Sequence, residues 1–151
     1  MRNNYYYSYE DREAPIPKLR TDRCWWKFLL LSLATLGFYE IFYFLYVTSD
    51  LEKVSLDRMR PKLMNYIFIF VLSYFTFSII SVIWHYHLAE RIEVSLKERN
   101  IDYNFNTKTF WIWGFFGSFY IVGQYVYIHK LCTAMNLLCE SYNEEKAKSV
   151  R

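Results

Sequence analysis

Between Lys27 and Asp50 the chain carries a single charged residue, Glu40, and this is the side chain with the clearest chemical potential. A charged carboxylate near the middle of an apolar helix costs about 2.5–3.5 kcal/mol on membrane-insertion scales, so it must face protein or water, or hold a proton. Such a group can serve as a proton or cation site. It can equally be a protonated hydrogen-bond partner for a Ser or Thr of another helix, or for Gln124. No second carboxylate lies in a comparable stretch to complete a relay, which favours the structural role. His85 and His87 are two apart and point to different faces of a helix, which argues against a shared metal. His129 and Cys132 are three apart, but two ligands do not make a site. Glu144 and Glu145 fall in a charged, solvated tail, and no Ser, Cys or Thr stands in a nucleophile motif with a base. The expectation is no enzyme activity, no cofactor and no metal.

The elements that must position Glu40 follow from the gaps between charges. Sixteen of the twenty residues 28–47 are apolar; no Asp, Glu, Lys or Arg occurs between Lys62 and Glu90, or between Lys108 and Lys130. At a rise of about 1.5 Å per residue, roughly 20 helical residues cross a hydrocarbon core of about 30 Å. The pattern predicts an all-α integral membrane protein with three transmembrane helices at about 26–48, 64–87 and 108–130. Trp25, Trp26, Trp84, Trp111 and Trp113 flank these stretches as interfacial aromatics. Segregation of this kind explains how a chain with 54% hydrophobic residues has a mean hydropathy of -0.03. Residues 1–23 read as a disordered polar tail without a cleavable signal peptide, 24–143 as the helical membrane domain and 144–151 as a charged C-terminal tail. A net charge of +3, with no run of five basic residues, argues against nucleic acid as a partner. Three cysteines without CxxC spacing argue against a disulfide framework.

A weak internal repeat of about forty residues relates the three stretches. Residues 31–37 align with 72–78 at an offset of 41, and 36–39 with 117–120 at an offset of 81. Each copy has a small residue at its midpoint, Gly37, Ser78 or Ser118, and then an amphipathic extension: Leu51 and Val54; Leu88, Ile92 and Leu96; Leu131, Met135 and Leu138. Single crossings would alternate in orientation, yet the basic residues divide almost evenly between the two sides. An even division also suits re-entrant helical hairpins, turning at Gly37, Ser78 and Ser118, with halves of about ten residues. Simple spanning is the first expectation and re-entrant hairpins the alternative.

The string from Leu29 to Val54 resembles the start of a group of small bacterial multi-pass membrane proteins classed as domain of unknown function 4234. The resemblance rests on Thr35, Gly37, Phe38 and Tyr39 and on Asn136 in a later polar helix, and it covers roughly residues 24–143. Glu40 departs from the small residue expected there, and the N-terminal tail lacks the Cys-rich ribbon of some relatives. The resemblance implies a bacterial cytoplasmic membrane protein; the family carries no assigned activity.

Gly114, Gly117, Ser118 and Gly123 crowd the third stretch, and Gly114-x-x-x-Ser118 is a small-residue spacing that lets helices approach closely. With Gly37 these are the expected helix-packing positions. The partners expected are the lipid bilayer and a second copy or another membrane protein. The working function is a non-enzymatic membrane scaffold or accessory subunit acting through helix packing; the alternative is an oligomeric channel or transporter component using Glu40.

Overall fold

A computed structural model describes residues 18–55, 62–76 and 78–149, apart from the side chains of Ser118 and Ile121. Residues 1–17 of the expected N-terminal tail and residues 150–151 of the C-terminal tail lie outside the described residues. The described chain is helical throughout its regular structure. Helices α1 (Trp25–Ala34) and α2 (Phe38–Val54) form a first hairpin, and α3 (Tyr66–Phe75) and α4 (Ile79–Glu98) a second. In the third, the short α5 (Thr107–Thr109) runs through a π-helical segment (Phe110–Phe115) and a 3-10 turn (Phe116–Phe119) into α6 (Ile121–Ser149).

Among the described residues no helix is long and apolar enough to cross a membrane, and this corrects the expectation of three transmembrane helices. The reason is local. Leu36 and Gly37 both have positive φ, 51° and 92°, and Ser78 has φ 66°. An α-helix cannot continue through a left-handed residue. At both sites the outgoing helix is closed by the same hydrogen bonds. Gly37 N donates to Ser32 O at 2.7 Å and Ser78 N to Ser73 O at 2.9 Å, the long-loop bond of a Schellman-type ending. Thr35 Oγ1 donates to Leu31 O at 2.7 Å, and Thr76 Oγ1 to Leu72 O at 3.0 Å. The offset of 41 read from the sequence is therefore an offset between two like turns. The third break differs: the helix tightens over Phe116–Phe119, and Tyr120 adopts an extended conformation. There an added Cβ on Gly117 would meet Gly123 Cα at 2.9 Å, and one on Gly123 would overlap the Gly117 backbone, so the turn closes only with glycine on both sides.

Two levels of contact fix how the hairpins stand. Phe44, His85 and Tyr127 each lie seven residues beyond Gly37, Ser78 and Tyr120; the Phe44 and His85 rings are 4.8 Å apart and those of His85 and Tyr127 6.4 Å. Further along, Arg99 joins the ends of all three long helices. Its guanidinium donates to Val54 O from Nε at 3.2 Å and Nη2 at 2.8 Å, and from Nη1 to Ser141 Oγ at 3.4 Å and Glu145 Oε2 at 2.9 Å. Helices α2, α4 and α6 therefore run parallel and in register, and the three turns emerge at one end.

Their amphipathic extensions supply the core. Leu51, Val54, Leu88, Ile92, Leu96, Leu131, Met135 and Leu138 are all buried, each side chain stabilising the fold by roughly 1.5–3 kcal/mol relative to exposure. Residues 18–24 run extended along this bundle. Asn143 brackets the backbone of Leu19, accepting from its N and donating to its O, both at 2.9 Å. Asn136 does the same for Arg23 at 3.1 and 2.9 Å. The Arg23 side chain is buried against Cys139 and pairs with Asp50 of α2.

Candidate functional site

Between the upper parts of the hairpins is a cavity of about 350 Å³. The left-handed turn at Gly37 starts α2 so that Glu40 falls in its first turn and faces this space. Tyr66, at the start of α3, donates its hydroxyl to Glu40 Oε1 at 3.3 Å. Asn65 sets the position of Tyr66 by capping α3, its side chain accepting from Ile67 N at 3.1 Å. From the second hairpin come Ser81 and His85, whose Nδ1 lies 3.0 Å from Ser81 O. The third hairpin contributes Gln124 and Tyr127 from α6. The Tyr127 side chain is buried and, among the described residues, its hydroxyl has no hydrogen-bond partner. Phenylalanine rings from the first and third hairpins complete the wall, Phe28 and Phe44, then Phe110, Phe115 and Phe119.

The two polar positions singled out in the sequence, Glu40 and Gln124, thus line one cavity although they are 84 residues apart. The partner that Glu40 takes is a tyrosine hydroxyl, where the sequence suggested Ser, Thr or Gln124. Gly114 borders the same cavity, and a Cβ there would meet the Phe110 ring at 2.9 Å, so it gives that ring room. Gly117 and Gly123 close the third turn. Gly37 has no atom within 4 Å of an added Cβ; it supplies positive φ and packs against nothing. The backbone of Ser118 lies in the third turn, and its side chain lies outside the described residues.

Of the expected interfacial aromatics, Trp25, Trp26, Trp111 and Trp113 are exposed. Trp84 is in the core, donating Nε1–H to Met64 O at 2.9 Å with its ring 4.7 Å from Tyr66. Thr35 works on both sides of the first turn, since its Oγ1 also accepts from Tyr39 N at 2.9 Å. Tyr39 packs against the rings of Phe28 and Tyr43.

Among the described residues no three His, Cys, Asp or Glu side chains converge on a point where a metal could bind. His87 faces Glu90, His129 is exposed, and Cys132 is buried 3.0 Å from the Tyr43 hydroxyl. What the cavity offers is a carboxyl group, an imidazole tied to the backbone and a hydroxyl without a partner, inside an aromatic wall. Those groups can hold a proton or bind by hydrogen bonding. Sequence reading set His85 aside as a metal ligand and passed over Ser81 and Tyr127; the repeat joins His85 to Phe44, each seven residues beyond its midpoint, but seven beyond Ser118 is Tyr125, so the repeat does not reach Tyr127.

No curated protein and no solved structure matches the chain. Residues 23–94 match the model of the family described as domain of unknown function (DUF4234), so that across the first hairpin and most of the second the chain is similar to that family.

Proposed function

We propose that the chain is a membrane protein seated in one face of the bilayer, with three helical hairpins dipping their turns into the hydrocarbon and returning. One observation carries this reading: the large apolar side chains left exposed run from the turns back to the starts of α1 and α3, at Trp25, Trp26 and Met64, and leave the base free of them among the described residues. Among the described residues they stop at Tyr46 on α2, Ile83 on α4 and Tyr125 on α6, and the fully buried core begins just below. At the turns themselves Leu36 is 90% exposed, Tyr74 87% and Phe119 78%. So broad a patch of apolar surface needs a cover. The outgoing helices α1 and α3 have ten residues each, about 15 Å, which is half of a hydrocarbon core of about 30 Å. Backbone released at such turns is tolerated inside a membrane where neighbouring protein shields it, and Thr35 and Thr76 occupy carbonyls there.

On this reading the protein is a non-enzymatic scaffold or accessory subunit of the bacterial cytoplasmic membrane, the setting the family resemblance implies, presenting a helical base to partners. A topology map tests it. With the three native cysteines replaced, single cysteines at Lys53, Asp102 and Ser149 are labelled with an impermeant maleimide on sealed, oriented vesicles. Re-entrant hairpins put all three on one side. Alternating spans put Asp102 on the side opposite to Lys53 and Ser149, and that result would overturn the reading.

The alternative, a channel or transporter component, is favoured by the placement of Glu40 and Gln124 on one cavity near the turns. Glu40→Gln separates the two. A carrier or pore changes its flux or its pH dependence, whereas a scaffold changes at most in stability.

A further inference from the structure

A second cavity, of about 490 Å³, lies on the outer side of the second hairpin, where residues 62–64 pass across α3 and α4. Its two ends differ in chemistry. Toward the turn the wall is Ile69, Ile80 and Ile83; toward the base it holds Lys62 and Arg91. Arg91 is 9% exposed, and among the described residues its Nη1 has no hydrogen-bond partner and no carboxylate pairs with it. The one acid in the wall, Glu90, faces His87 at 3.4 Å, and Lys62 is 4.0 Å from Glu52 at the rim. A buried guanidinium without an anion is costly, so this arrangement is complete only when one is supplied.

The spacing says what kind of anion. Arg91 lies 13 residues beyond Ser78, about 20 Å along α4 from the turn, while Ile80 and Ile83 lie within the first two turns of the helix. With the turns at mid-bilayer, hydrocarbon ends about 15 Å away, which brings Arg91 and Lys62 to the level of lipid head groups and the isoleucines to the level of acyl chains. Arginine suits phosphate oxygens because its planar fork donates two parallel hydrogen bonds.

We propose that this cavity seats one anionic phospholipid, its phosphate on Arg91 with Lys62 at the entrance, and one acyl chain against Ile69, Ile80 and Ile83. The proposal rests on the membrane reading above. The test is native mass spectrometry of the full chain in mild detergent, titrated in separate arms with phosphatidylglycerol, phosphatidylcholine and inorganic phosphate. The expected result is one phosphatidylglycerol retained, at least tenfold more tightly than phosphatidylcholine, with a tenfold or greater loss in Arg91→Gln and a smaller one in Lys62→Gln. Equal retention of both lipids, or Arg91→Gln that is folded by circular dichroism and binds like the parent, would overturn it. So would inorganic phosphate binding as tightly as the lipid, which would make the site one for free phosphate. Should Arg91→Gln fail to fold, phosphatidylglycerol with a photoactivatable acyl chain decides on the unmutated protein: cross-links concentrated at 69–83 support the seat, and an even spread over all three hairpins refutes it. A one-sided cysteine map with no lipid selectivity sinks this proposal alone; a two-sided map sinks the reading beneath it.

Discussion

Arg99 places two of its donors on the backbone carbonyl of Val54, 45 residues earlier in the chain, at the point where α2 ends. The carbonyls of a helix's last turn have no partner within the helix, and a guanidinium fork satisfies one of them with two bonds while a third nitrogen reaches α6. Arg99→Ala is expected to lower stability by about 2 kcal/mol, the usual range for hydrogen bonds to a charged group. Arg99→Lys should recover less than half, because an ammonium cannot span Val54 and Glu145 in the same geometry. Thermal unfolding of the detergent-solubilised protein followed by circular dichroism measures both. An unchanged midpoint in Arg99→Ala would show that the base is held by apolar packing alone.

The bracket between Asn136 and the Arg23 backbone should act as a latch on residues 18–24. Cys139 is buried beneath it, with Arg23 Nη1 3.4 Å from its Sγ. In a background where Cys139 is the single cysteine, Asn136→Ala is expected to speed its reaction with a water-soluble thiol reagent by tenfold or more. Asn143→Ala, which frees Leu19 only, should have a smaller effect. Equal rates in all three proteins would mean that the buried Arg23–Asp50 pair holds the segment without the asparagines.

The turns can be tuned in opposite directions. Ser78 holds φ 66°, a conformation that costs a residue with a Cβ roughly 1–2 kcal/mol, so Ser78→Gly should raise stability by about 1 kcal/mol. Gly37→Ala should lower it by a similar amount, although nothing lies within 4 Å of the new methyl. Chemical denaturation in mixed micelles reads both. A neutral Gly37→Ala would show that the first turn adapts its backbone when the side chain is added.

Acid should loosen the loop after α4. Glu93 accepts from Lys97 Nζ at 2.7 Å and from Thr107 N at 3.1 Å. The hydrogen bond from Lys97 is the main reason its carboxyl is held below the usual value of 4.5, with the backbone of Thr107 adding to it. A depressed carboxylate contributes stability that is present above its unfolded value and is lost as pH falls through the folded one. Amide exchange at Thr107, corrected for intrinsic rate, is expected to accelerate as pH drops below about 4.5, and Glu93→Gln should abolish that dependence. If the parent and Glu93→Gln show the same pH profile, the Thr107 amide is protected by other contacts.

How far the sequence could be read depends on which forces act locally. Gly37 and Ser78 were legible as midpoints because a small residue recurs in the same frame of an apolar run, and both prove to be left-handed turns. The preference for unbroken spans failed there because hydropathy sums over side chains and is blind to φ at Leu36. The amphipathic positions Leu51, Ile92 and Leu138 were readable from helical spacing and all are buried. By contrast, Trp84 read as interfacial from its place at the end of an apolar run, and it is buried because residues 62–65 fold back across it, a contact no periodicity encodes. Arg23 and Asn136, 113 residues apart, belong to the same class of long-range contact. So does the meeting of Glu40 with Tyr66, where the acid stood out in the sequence and its partner did not.

The parallel, in-register arrangement of α2, α4 and α6 has an electrostatic side. Each of the three long helices brings about half a positive charge at its N-terminus to the turns, where the C-termini of α1 and α3 oppose it, and leaves the matching negative charge at the base, where no short helix ends. The chain answers at both poles. Glu40 sits in the first turn of α2 at the positive pole, and Arg99, Lys146 and Lys148 stand around the helix C-termini at the negative one. The lone acid of the apolar end is thereby a counter-charge to the N-terminus of α2, and reversing its sign with Glu40→Lys would set it against that helix end.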